Sequence, residues 1–148
     1  MINNLIIIIT GILGATLTFY VNEHLKQGAV RASALLTLIV SLFFYYFPEV
    51  LNPYLTQNIP TAFIGASFVG MVSSKAIIHY RWLIIAGIIF SIIYINKSMF
   101  FQGYGGALGT SAFIALLATM AIPVVFSKKK KITNGILIFR KWLFREKD

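Results

Sequence analysis

Thr61-Ala-Phe-Ile-Gly-Ala-Ser-Phe-Val-Gly-Met-Val-Ser-Ser-Lys75 is apolar enough for a bilayer, yet it carries small residues where bulky ones are expected. Ala62, Ala66, Gly70 and Ser74 fall four apart. On a helix that spacing makes one smooth stripe, and in lipid a smooth stripe is where two backbones can approach closely. The pattern recurs as Ala107, Ser111, Ala115 and Thr119, and in shorter form as Thr10, Gly14 and Thr18. Three small-residue stripes point to a tight bundle of membrane helices, with the stretch from Thr61 sheltered among its neighbours.

Composition fixes the class. The chain has 148 residues, 58% of them hydrophobic and 11% charged, with a mean hydropathy of +0.82. A soluble domain carries about 25% charged residues. The length suits one domain of a few helices. The chain has no cysteine, which excludes disulfides, Cys-based metal centres and thiol catalysis. The net charge of +9 reads as a topology signal and an attraction to anionic lipid rather than to nucleic acid.

Outward from the opening stretch, five apolar runs emerge. Ile2 to Val21 is about the 20 residues a crossing needs, with no basic residues ahead of it to mark a signal peptide. After a polar connector, Asn22 to Arg31, a second run covers Ala32 to Phe47 and ends in the aromatic group Phe43-Phe-Tyr-Tyr-Phe47 before Pro48. Pro48 to Pro60 reads as a loop, with Pro60 opening the third helix at its first turn and Ser74 near its end. That helix is only about 22 Å long, short for a core of about 30 Å. A fourth run spans Ala76 to Ile95, its lipid-compatible part Trp82 to Ile95. Gln102-Gly-Tyr-Gly-Gly106 weakens any helix. The fifth run, Ala107 to Phe126, carries Pro123 and a bend. The fold expected is therefore an all-α integral membrane bundle of five transmembrane helices over residues 1–127, or four plus one re-entrant segment. Residues 128–148 form a basic, amphipathic, interfacial tail.

Charge orients the bundle. With five crossings, every Lys and Arg except Lys97 falls on one side. By the positive-inside rule that side is cytoplasmic, which places the C-terminus inside and the N-terminus outside a prokaryotic cytoplasmic (inner) membrane. The first, third and fifth helices are then parallel, and the stripe of the third is expected to meet that of the fifth. A loose echo between Ser41 to Lys75 and Ser91 to Lys128 raises a tandem helix-hairpin repeat of the kind transporters use.

The candidate site residues serve close packing or a pathway: Gly14, Thr16, Gly65, Ser67, Gly70, Gly105, Gly106, Gly109, Thr110 and Ser111. Small residues let helices touch. Hydroxyls and exposed carbonyls can also line a polar path. The glycine-rich start at Gly103 to Gly109 can present backbone N–H groups to an anion, but it lacks the lysine and preceding strand of a nucleotide-binding loop. Lys75, Arg81, Lys128, Lys129, Lys130 and Lys131 are candidate contacts for lipid headgroups or an anion. His24 and His79 are too few to build a metal centre, no serine or threonine has an evident base, and neither a cofactor nor enzymatic chemistry is expected.

Gly11-Ile-Leu-Gly-Ala15, with a glycine-rich break before Thr110-Ser-Ala-Phe113, resembles features of the small dimeric fluoride channels over two short stretches. The arginine that family places soon after the first motif is replaced here by Leu17-Thr-Phe19. That family's second-helix asparagine and its Thr/Ser-Phe-rich filter run have no counterpart, so the chain is not assigned to it. Two functions follow. One is a channel or transporter for a small ion or solute, acting as a homo-oligomer. The other is a non-transporting membrane subunit or scaffold that docks a partner through small-residue faces and the basic tail.

Overall fold

A computed structural model of the chain describes residues 2–73, 80–96 and 105–126. Five helices run in order: α1 (Ile2–Glu23), α2 (Ala29–Tyr46), α3 (Pro53–Gly70), α4 (Tyr80–Ile95) and α5 (Gly105–Phe126), with no strand among the described residues. Three are long and apolar enough to cross a membrane: Ile2–Glu23, Ala29–Tyr46 and, within α5, Gly106–Pro123; α4 is apolar but shorter. The basic tail at 128–148 lies outside the described residues, as do Ser74, Lys75 and His79.

The third helix starts seven residues earlier than its prolines suggest. Asn52 is extended (φ −61°, ψ 152°), and its side-chain oxygen accepts from the Leu55 backbone N–H at 3.0 Å, with Pro53 in the first helical turn. This is a complete N-terminal cap. Pro60 therefore sits inside α3, where it removes the N–H that would bond to the Thr56 carbonyl. Side chains tie the neighbouring turns: Asn58 Nδ2 donates to the Tyr54 carbonyl at 2.8 Å and Thr61 Oγ1 to the Gln57 carbonyl at 3.1 Å. The expected loop from Pro48 to Pro60 shrinks to its first five residues. At 18 residues, α3 is about 27 Å long.

α3 is the centre of the bundle. It packs against α1, α2, α4 and α5, most extensively against α1. Its second half is buried on nearly all sides, through Ala62, Phe63, Gly65, Ala66, Ser67, Val69 and Gly70. A helix surrounded by protein has no need of a lipid-facing apolar surface, which is why its sequence is small and partly polar.

Pairwise contacts set the directions. Asn52 Nδ2 donates to Asn3 Oδ1 at 3.3 Å, Gly14 lies opposite Phe63 and Ala66, and Gly70 opposite Ala15 and Thr18, so α1 and α3 run parallel. Ser91 of α4 meets Ile7 and Gly11, and Tyr80 meets Phe19, so α4 runs against α1. Ser33 near the start of α2 meets Ser67 near the end of α3, so these two are antiparallel as well. The stripe of α3 thus faces α1, and not α5 as its spacing had suggested; α5 reaches α3 through Leu108, beside Gly65. α1 supplies glycines where the two backbones meet, and α5 does not.

Large apolar side chains cover the outside. Leu35, Leu38, Ile39 and Leu42 on α2, and Phe113, Ile114 and Leu117 on α5, are all exposed. In water this would be an aggregating surface, whereas in a bilayer it is the ordinary lipid-facing coat.

Candidate functional site

Two glycine seams organise the interior. In the first, a Cβ added at Gly14 would lie 2.9 Å from Ala66 Cβ and 3.2 Å from the Phe63 carbonyl. One turn on, a Cβ at Gly70 would collide with the Ala15 carbonyl and approach Thr18 Cβ to 2.7 Å. The second seam joins α1 to α4. A Cβ at Gly87 would come within 3.0 Å of the Gly11 carbonyl, and one at Gly11 would strike the Ser91 hydroxyl. Gly65 is filled from the other side, its missing side chain replaced by the Phe90 ring and the Leu108 methyls. Gly14, Gly65 and Gly70 are therefore all points of close approach. Gly87 and Ser91 are not among the packing residues expected from sequence, and Gly11 enters there only through the motif Gly11-Ile-Leu-Gly-Ala15, although the four-residue spacing of Gly87 and Ser91 carries the same small-residue signal.

The four hydroxyls proposed to line a path are each satisfied locally. Thr16 Oγ1 donates to the Ile12 carbonyl at 2.7 Å, Thr110 Oγ1 to Ala107 at 3.0 Å and Ser111 Oγ to Ala107 at 2.7 Å. Ser67 Oγ bonds the Ile64 carbonyl and also Ser33 Oγ, at 2.7 Å each, making a buried link between α2 and α3. Among these four, only Ser67 bonds across helices. Thr18 is the exception among the described threonines: its side chain is fully buried and its Oγ1 has no hydrogen-bond partner among the described residues.

The glycines of α5 behave differently from those of the other helices. Gly105 begins the helix, and among the described residues no heavy atom lies within 4 Å of a Cβ built at Gly106 or Gly109. With exposed Thr110 they make an open, small face on the outside of the bundle. Arg81 is exposed at the start of α4, while Lys75 and Lys128 to Lys131 lie outside the described residues.

A polar face on α3 was hidden by reading 48–60 as a loop. Tyr54, Gln57, Asn58 and Thr61 fall at i, i+3, i+4 and i+7, one side of a helix. Tyr54 and Gln57 are exposed, Asn58 and Thr61 half-buried, and the row ends at buried Gly65. Tyr94 of α4, 3% exposed, donates its hydroxyl to Asn58 Oδ1 at 2.9 Å. Next to it in α4, Phe90 stacks on Tyr94 with ring centroids 6.1 Å apart and closes the row over Gly65. The result is a strip of uncharged hydrogen-bonding groups that enters from one end of the bundle and stops at an aromatic plug.

Compared with family models, with curated proteins and with solved structures, the chain matches none.

Proposed function

We propose that the protein is a five-crossing membrane protein that passes a small ion or polar solute and works as a homo-oligomer. The reading rests above all on the row Tyr54, Gln57, Asn58 and Thr61, which runs from the exposed end of α3 to the plug of Phe90 and Leu108 over Gly65. One Asn58 N–H and the Thr61 hydroxyl proton are spent on the Tyr54 and Gln57 carbonyls, but exposed Tyr54 and Gln57 and the second lone pair of Asn58 Oδ1 can replace part of a solute's hydration, and a packed aromatic ring can close the strip. The path lies on the α4 and α5 side of α3, because the α1 side is filled at Gly14 and Gly70. Five crossings are supported by the alternating directions of α1 to α4, and such a topology would gather every Lys and Arg but Lys97 on one side, which the positive-inside rule makes cytoplasmic together with the C-terminus. The open face of Gly106, Gly109 and Thr110 is the surface offered to a second copy, and the tail lysines are the surface offered to anionic lipid.

The filled seams favour a second reading, a non-transporting subunit that docks a larger membrane partner. Flux in proteoliposomes separates the two. Under the first, Phe90→Ala raises flux and Asn58→Leu abolishes it while the protein stays folded. If the purified protein passes no ion or small solute under any gradient, and Phe90→Ala is equally silent, the docking subunit stands instead.

A further inference from the structure

At the end of the bundle where α1 finishes and α4 begins, three aromatic rings stand in a row on the surface. His24 stacks on Tyr20 with centroids 4.8 Å apart and planes 29° from parallel. Its ring also faces Tyr80 of α4, at 6.5 Å and 17°. Phe19 braces Tyr80 from beneath, edge on, at 5.3 Å. The row is not buried, since Tyr20, His24 and Tyr80 are all exposed.

Two kinds of side chain surround this ledge. On the bundle side, the α1 face that carries Tyr20 and His24 continues through exposed Leu17 and Leu13, one and two turns before Tyr20, and α4 continues one turn past Tyr80 to exposed Ile84. Cations flank the ledge: Arg81 next to Tyr80, Lys26 in the connector after His24, and Arg31 in the first turn of α2, all exposed. Gly28, at φ +84°, makes the turn that brings α2 and Arg31 back to this end. The one acidic residue here among the described residues, Glu23, has an interaction of its own.

An exposed apolar face, an aromatic ledge and exposed cations at one end of the bundle match the chain, the glycerol region and the phosphate of a phospholipid. We propose that the surface around this ledge binds an anionic phospholipid, with its phosphate drawn to Lys26, Arg31 and Arg81, and its acyl chain along the exposed apolar side chains Leu13, Leu17 and Ile84. A soluble anion would use the cations and leave the apolar face and ledge without a role. The proposal rests on the membrane reading above and is independent of transport.

Ile84→Trp, in a background of Trp82→Phe and Trp142→Phe, sets the sole indole of the full-length protein on the exposed apolar position one turn past Tyr80. The protein is reconstituted in phosphatidylcholine vesicles containing a minor fraction of either brominated phosphatidylglycerol or brominated phosphatidylcholine, and quenching of that indole is compared. A cation near an anionic surface contributes a factor of about five, so the anionic lipid should quench preferentially by about fivefold or more. The preference should persist when Lys128 to Lys131 are replaced by Gln, and collapse towards one in Lys26→Gln/Arg31→Gln/Arg81→Gln, with quenching by the zwitterionic lipid retained. Equal quenching by the two lipids, a preference that survives the triple substitution, or one that disappears with the tail lysines alone would each overturn the site. Quenching by neither lipid would instead overturn the membrane reading on which it stands.

Discussion

Gly14→Ala adds one methyl group, and the structure assigns it an unfavourable place. The new Cβ would stand 2.9 Å from Ala66 Cβ and 3.2 Å from the Phe63 carbonyl. Carbon pairs are most favourable at about 3.5–4.0 Å, so α1 and α3 must part by roughly 0.6 Å or more. Neither obstacle can rotate away, because one is the first side-chain atom of Ala66 and the other is backbone. Overpacking of this kind costs about 1–3 kcal/mol. Against it, replacing glycine by alanine within a helix gains about 1 kcal/mol. The net expectation is a loss of about 1 kcal/mol. Gly109→Ala is the matched control within one copy, read at a detergent dilution that keeps copies apart, since a Cβ there meets nothing among the described residues within 4 Å and only the helix gain remains. The two identical substitutions should therefore differ by about 2 kcal/mol, with opposite signs. The assay is equilibrium unfolding in mixed micelles, followed by far-ultraviolet circular dichroism. Moving the methyl across the seam sharpens it: Gly14→Ala combined with Ala66→Gly should be more stable than the sum of the single effects by about 1 kcal/mol or more. If Gly14→Ala stabilises as much as Gly109→Ala, or the swap shows no coupling, the seam between α1 and α3 is wrong.

Thr18→Val keeps the shape of a fully buried side chain and deletes an unpartnered hydroxyl, so it should stabilise by about 1 kcal/mol or more; a loss of stability would show that the hydroxyl has a partner. Ser33→Ala and Ser67→Ala should each destabilise, and their double-mutant cycle should return a coupling of about 0.6 kcal/mol, typical of interhelical hydrogen bonds in lipid; zero coupling would remove the α2–α3 link. Tyr94→Phe loses the bond to Asn58 and should cost about 1 kcal/mol while also altering flux, a pairing that stability and transport assays on one preparation can check. In oligomer crosslinking, Gly109→Leu should dissociate copies while leaving monomer helicity intact, and retention of the oligomer would move the interface elsewhere.

The apolar runs made most helices legible in the sequence, because a crossing segment has to be long and greasy whatever it packs against. The observed α1, α2 and α5 begin and end within a few residues of the runs from Ile2, Ala32 and Ala107. The start of α3 was misread because Pro60 drew the boundary, although Asn52-Pro53 is itself a cap followed by a proline suited to the first turn. Misplacing that boundary concealed the face of Tyr54, Gln57, Asn58 and Thr61, which exists only if those residues are helical. The stripes told which residues are small but not which helices they join. Ala66 and Gly70 would fit any close neighbour, and the choice of α1 over α5 follows from glycines at matching depth on both backbones. The stack of His24 between Tyr20 and Tyr80 depends on two segments distant in the chain, and no local pattern announces it.

The proposed topology has α3 crossing the bilayer as the sheltered middle helix instead of turning back, although α3 by itself is not among the three helices long and apolar enough to span. Because the chain has no cysteine, single cysteines can be placed without background and labelled from outside with a membrane-impermeant maleimide. Val50→Cys, in the connector before α3, should label in intact cells, whereas Gln27→Cys and Ser73→Cys should label only after permeabilisation. Labelling of Ser73→Cys from the same side as Val50→Cys would contradict the account, because both ends of α3 would then open on one face of the membrane.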